Sequence, residues 1–235
     1  MAQSASGEMY DAVADPYCYP GTTVLKNRAN LRTQKSLDRF EVAMTTQRAD
    51  ERLPSGRLSV TQYRAIHRHL FQDVFPWAGQ FRKVRIARNG SAFCYPENIA
   101  REMRTLFRSL ARKDFLRALE ADAFADEAAE FLTTLNAIHP FREGNGRTQT
   151  AFLALLADNA GHPLHLHRLK PKPFLSAMVA SFRGDQRPLA RHIALLISAK
   201  QTSRRIGTAK GKFKAPDDID SNNAVIGKMF KGRTR

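Results

Sequence analysis

The chain has 235 residues, 43% of them hydrophobic, which is enough to bury a core in one domain with or without a tail. Its formal charge of +16 and pI near 10.4 point to phosphate-rich partners. No run approaches the roughly 18 apolar residues of a membrane span, and two cysteines, Cys18 and Cys94, exclude a disulfide framework or a zinc-finger pattern.

Residues 1–8 are small and polar and lack the basic region and apolar run of a secretory signal, so the cytoplasm is the expected compartment. Residues 1–18 are expected to form a flexible N-terminus. Turn signals follow at Asp15-Pro16, Tyr19-Pro20-Gly21 and Lys26-Asn27. Leu37, Phe40 and Met44 then recur at helical spacing, and Gly56 interrupts them. Ser59 with Gln62 three residues later reads as a capping box. It opens a helix carrying Tyr63, Ile66, Leu70 and Phe71, ended by Pro76, Trp77 and Gly79.

The period changes after Phe81. Val84 and Ile86 alternate with Lys83 and Arg85, Asn89-Gly90 is a hairpin turn signal, and Pro96 closes the return strand. Residues 82–95 therefore read as one β-hairpin in an otherwise helical chain, leaning on the helices because a lone hairpin is marginal.

Helical stripes resume with Ile99, Met103, Leu106, Phe107 and Leu110, and then with Phe124, Ala128, Phe131, Leu132, Leu135 and Ile138. A nearly all-apolar helix through Phe152, Leu153, Leu155 and Leu156 is expected at the domain centre. Phe174, Leu175, Met178 and Phe182 form one more stripe, and Leu189, Ile193 and Leu196 the last. Residues 200–235 hold ten Lys/Arg against three Asp/Glu and dissolve into polar sequence, so a basic, disordered tail is expected there. A short helix over 224–230 is the one element it suggests. The predicted class is mainly α with one hairpin.

The chemistry concentrates in the link His139-Pro140-Phe141-Arg142-Glu143-Gly144-Asn145-Gly146-Arg147. Gly144 and Gly146 permit backbone angles that let successive N–H groups form a concave nest at a helix N-terminus, which is a phosphate site. Arg147 adds forked charged donors, Glu143 can hold Mg²⁺, and His139 can act as a general base near neutral pH. A base, a carboxylate, an anion nest and an arginine within nine residues point to transfer chemistry on a nucleotide phosphate. By contrast, His162, His165 and His167 lack a cysteine or carboxylate at ligand spacing, and a structural role is expected for them.

His-Pro-Phe-x-Glu-Gly-Asn-Gly-Arg resembles the signature of the Fic family. Tyr19-Pro20-Gly21-Thr22, Val24-Leu25-Lys26-Asn27, Ile66-His67, Leu70-Phe71, Trp77-Ala78-Gly79-Gln80-Phe81-Arg82 and Phe93 resemble further Fic landmarks, in order from about residue 19 to 199. The resemblance implies a Fic-fold helical bundle over 19–199 and a protein adenylyltransferase that moves AMP from Mg·ATP to a Ser, Thr or Tyr hydroxyl. It implies His139 as the base, Phe141 as the anchor of the loop, and Glu143 as the Mg²⁺ ligand. Gly144, Asn145 and Gly146 would cradle the phosphates, Arg147 would hold the β-phosphate, and the hairpin would be a flap whose Val84, Arg85, Ile86, Ala87 and Arg88 dock the target by strand addition.

The kinase-like Doc branch has lysine at the position of Gly146, so Gly146 favours AMP transfer. Many relatives carry a second arginine, for the γ-phosphate, where this chain has Thr150, which implies weaker ATP binding and a less active enzyme, a different nucleotide donor, or a substitute contact from Arg142 or another basic residue. No glutamate in the 235 residues has both Ser or Thr four residues before it and Gly or Asn after it, the family's self-inhibitory pattern. The expected arrangement is a toxin held in check by a separate small antitoxin, with type II topoisomerase ATPase subunits as the implied targets. The alternative reading is a basic nucleic-acid- or protein-binding domain with a degenerate Fic site.

Overall fold

The computed structural model describes residues 15–88 and 91–197. Residues 1–14 of the expected N-terminal segment, the Asn89-Gly90 pair expected to turn the hairpin, and the expected tail with its suggested helix over 224–230 lie outside the described residues. Seven helices are described: α1 Gln34–Asp50, α2 Val60–Phe71, α3 Pro96–Arg112, α4 Ala121–Ile138, α5 Asn145–Asn159, α6 Pro171–Phe182 and α7 Arg187–Leu196. Strands β1 Ala87–Arg88 and β2 Ser91–Ala92 pair antiparallel, with Ala87 opposite Ala92 and Arg88 opposite Ser91. The mainly α class is the observed one.

Each helix starts where its chemistry allows. The Thr33 hydroxyl caps α1 by accepting from the Ser36 N–H. The Ser59 hydroxyl caps α2 by accepting from the Gln62 N–H at 3.3 Å. Only half of the expected capping box forms, because the Gln62 amide donates to the Pro54 carbonyl instead. Proline stands in the first turn of α3, α6 and α7, where its missing N–H costs nothing.

Helix α4 is the hub and packs against α3, α5, α6 and α7, while α2 packs against α1, α3 and α5. Their shared core is aromatic: the Tyr63 ring meets Phe107, Phe141 and Phe152 at 5.5–5.8 Å between centroids. Burial of rings this large dominates the hydrophobic stabilisation. One stripe differs from expectation. Leu175 is 54% exposed, because the buried face of α6 runs through Ala177, Met178 and Ser181. No helix among the described residues is long and apolar enough to cross a membrane.

The hairpin is shorter than its pattern suggested. Val84 and Ile86 fall before the ladder, and the Val84 carbonyl is taken by the Arg82 guanidinium at 2.7 Å rather than by a partner strand. Pairing starts with the Phe93 N–H donating to the Ile86 carbonyl at 3.2 Å.

Candidate active site

Helix α4 ends at His139, whose backbone is left-handed (φ 47, ψ 62) and whose N–H still donates to the Leu135 carbonyl. Pro140 blocks helical continuation, and a non-glycine left-handed cap costs about 1–2 kcal/mol. The surroundings hold it there. The His139 ring stacks on Phe93 at 4.0 Å, and its Nδ1 faces the Asn136 carbonyl at 3.3 Å. A carbonyl only accepts, so in the neutral ring this contact puts the proton on Nδ1.

The loop from His139 to α5 is clamped from beneath. Phe141 is fully buried, stacked on His67 at 3.8 Å. Asn145 is buried, with Oδ1 accepting from the Phe141 N–H (2.9 Å) and Nδ2 donating to the Phe141 carbonyl (2.8 Å). Its side chain is committed inward, so only its backbone is left for an anion. His67 Nδ1 accepts from the Gly79 N–H at 2.8 Å, and Nε2 faces the Glu143 carbonyl at 3.0 Å. That pairing demands the neutral Nε2–H tautomer, and burial pulls the pKa of His67 down to about 3.

The two glycines of the loop differ. Gly144 is the N-cap of α5 at φ 82, and a Cβ there would sit 2.4 Å from the Phe71 ring. This position needs glycine both for its angle and for its space. Gly146 lies inside α5, outside the positive-φ glycines, with nothing within 4 Å of a Cβ. The nest expected from both glycines is therefore built by Gly144 and the first turn of α5. That turn has no side-chain cap, and its N–H groups lack intrahelical partners, so it presents positive potential to an anion.

Glu143, about one-third exposed, accepts from the Gly144 N–H at 3.1 Å and stands 3.8 Å from Arg147. Arg147 lies over the Phe71 ring at 4.5 Å and pairs with Glu41 of α1, with Thr45 3.4 Å away. The Glu41 side chain is 12% exposed in this pair, and desolvation, opposed by the Arg147 charge, raises its pKa. That leaves Glu143 as the solvent-facing carboxylate at the α5 terminus. Among the described residues no group of three or more His, Cys, Asp or Glu side chains could hold a metal. One carboxylate beside an anion site suits Mg²⁺ that arrives with phosphate oxygens.

Arg142, offered by sequence as a substitute for the second arginine, is tied to Asp15 at 2.8 Å. Thr150 is half-buried on α5, its hydroxyl donating to the Gly146 carbonyl. Of the proposed docking residues, Val84 and Ile86 are half-buried and Ala87 is exposed. Arg85 lies over Tyr95 at 4.4 Å, and Arg88 pairs with Ser91 through the backbone. His165 precedes and His167 lies within a 3-10 turn, Leu166–Arg168, and their rings meet at 5.3 Å. Sequence reasoning missed Glu41 and the roles of Arg82 and His67. Glu41 carries no local signal, since only packing of α1 on the loop brings it to Arg147.

Comparison with known proteins gives this geometry its family. The Fic/DOC family model matches residues 57–157. A Sinorhizobium fredii protein named "Probable protein adenylyltransferase y4lH" is 54% identical over 80% of this chain and 98% of its own length. The Escherichia coli K12 protein named "Probable protein adenylyltransferase Fic" is 34% identical over 78% of this chain and 92% of its own. Among solved structures, the N-terminal Fic domain of a VirB-translocated effector protein from Bartonella quintana, with bound ADP, is similar with a TM-score of 0.69 and 28% identity, over 79% of this chain and 95% of that one.

Proposed function

The chain belongs to the Fic/DOC family and is a nucleotidyltransferase of the protein adenylyltransferase class, and from that premise we propose that it moves AMP from Mg·ATP onto a Ser, Thr or Tyr hydroxyl of a target protein. The observation that carries this reading is one loop joining the C-terminus of α4 to the N-terminus of α5. His139, with the proton of its neutral ring on Nδ1, stands at the C-terminus of α4, and the uncapped N-terminus of α5 begins six residues on, flanked by Glu143 and Arg147.

In this reading His139 Nε2 takes the proton of the target hydroxyl as its oxygen attacks the α-phosphorus. The bond from that phosphorus to the oxygen bridging to the β-phosphate breaks, and pyrophosphate leaves. The first-turn N–H groups of α5 and the Arg147 guanidinium stabilise the charge gathering on the phosphates. Glu143 would hold the divalent cation, which neutralises phosphate charge when bound. Most of the acceleration is positioning and fixed electrostatics. The hairpin, with Val84, Arg85, Ile86, Ala87 and Arg88, docks the target segment by strand addition. The catalytic unit is residues 19–199, and deleting residues 201–235 leaves transfer intact.

The resemblance to stand-alone members supports two further parts of the reading. A separate small antitoxin restrains the enzyme, and the targets are ATPase subunits of type II topoisomerases. Adding a cognate antitoxin to purified protein lowers transfer in this account; equal transfer with and without it overturns that part.

Incubation with ATP labelled on the α-phosphate and bacterial lysate tests the core of the reading. Label on protein with wild type and none with His139→Ala is the expected result. Label retained only from the γ-phosphate would make the protein a kinase, and no label with salt-sensitive DNA binding would favour the basic binding domain.

A further inference from the structure

Arg82 is 2% exposed, and its guanidinium donates to four carbonyls and, among the described residues, to no carboxylate. Nε donates to the His139 carbonyl at 2.8 Å, Nη1 to Val84 at 2.7 Å, and Nη2 to Cys94 at 2.5 Å and Ile138 at 3.2 Å. Its own N–H donates to the Pro140 carbonyl at 2.9 Å. Two acceptors belong to the C-terminal end of α4, where orphan carbonyls and the negative end of the helix dipole collect. The other two lie on the outgoing and returning arms of the hairpin. One planar fork therefore spans three chain segments.

Burying a charge without a counter-ion is expensive, and desolvation lowers the pKa of Arg82. A lysine, with a single point of attachment, could not satisfy four carbonyls in these directions. The contacts fall close to the chemistry. The His139 carbonyl belongs to the residue whose ring would take the proton, and Cys94 follows Phe93, on which that ring stacks. A second tie runs parallel, with the Cys94 N–H donating to the Ala137 carbonyl at 3.0 Å.

We propose that Arg82 is a positioning residue that makes the hairpin arms and the His139 backbone one rigid unit, so that a hydroxyl presented on the hairpin keeps a fixed distance from the base. This rests on the AMP-transfer reading for its functional meaning, though not for its structural content. The nucleotide side of the site is held by other residues, Asn145 on Phe141 and His67 on Glu143. Loss of the fork should therefore separate catalysis from nucleotide binding.

The test is Arg82→Lys in the full chain. Amide hydrogen exchange without nucleotide is read at residues 84–87, 92–95 and 139–141. Both groups should exchange about tenfold faster together, with residues 145–149 unchanged. In the transfer assay kcat should fall about 100-fold, with KM for ATP within about twofold. Acceleration in one group alone, unchanged exchange in both, or parallel loss of kcat and ATP affinity overturns the proposal. Should the lysine variant not fold, Arg82→Ala is read with and without guanidinium ion. Joint re-protection of the two groups supports the fork, and no re-protection overturns it. An inert wild type would sink the transfer reading and leave the exchange result standing.

Discussion

The loop 139–147 and the hairpin arms 82–88 and 91–95 are held in opposite ways. The loop rests on buried groups at every second residue or so: Phe141 on His67, Asn145 on the Phe141 backbone, the Glu143 carbonyl on His67, and Gly144 against Phe71. The hairpin is held at its base by Arg82 and Phe93 and carries a ladder of two residues per strand. Beyond that base its described side chains are half-buried or exposed. The difference teaches a division of labour in the proposed mechanism: the groups assigned to the chemistry sit where packing over-determines them, and those assigned to target docking sit where little does.

Five experiments break or sharpen that contrast. The largest effect is expected from His139→Ala, with transfer of α-phosphate label reduced about 10³-fold or more while the thermal unfolding midpoint changes little. Substantial residual transfer would remove the chemistry from the loop. Next is Gly144→Ala, where the clash with Phe71 and the left-handed backbone should together cost roughly 3 kcal/mol in urea unfolding. A cost near zero would mean the loop is not over-determined.

The third is the pH dependence of His67. The unfolded chain protonates this ring near the ordinary 6.5, whereas the fold holds the pKa down to about 3. Its stabilisation is therefore complete above 6.5 and drains away as pH falls through that window, by about 2 kcal/mol at pH 5. His67→Gln should flatten this part of the stability–pH curve, and an unchanged slope would show that another group is responsible. The smallest effects come from Gly146→Ala and Arg85→Ala. Gly146→Ala should stabilise by roughly 0.5–1 kcal/mol, as expected inside a helix. Arg85→Ala should leave stability within about 0.5 kcal/mol, while KM for the target rises about fivefold and KM for ATP stays put. A matching rise for ATP would take the hairpin out of target docking.

Much of the fold was legible because it follows from period and punctuation. The stripes through Ile99 to Leu110 and Phe124 to Ile138 became α3 and α4, and Ser59 did cap α2. Leu175 misled, since apolarity alone does not say which of two adjacent residues faces the core. The strand over Val84 and Ile86 misled because alternation records a preference, while the Val84 carbonyl was claimed by a guanidinium. Within the site, only the neighbours show what the Asn145 and Gly146 positions pack against. One turned out to clamp Phe141 and the other to be an ordinary helical residue.

By itself the sequence determined the residue types of the link between α4 and α5 and their order, and with them the family and class of chemistry, because these are properties of a contiguous nine-residue stretch. The tertiary structure decided which of those side chains face inward, that Glu41 would meet Arg147 across 106 positions, and that Arg82 would join three segments. Such pairings depend on how separate helices pack, and no local pattern encodes which distant carboxylate or carbonyl a buried guanidinium will find.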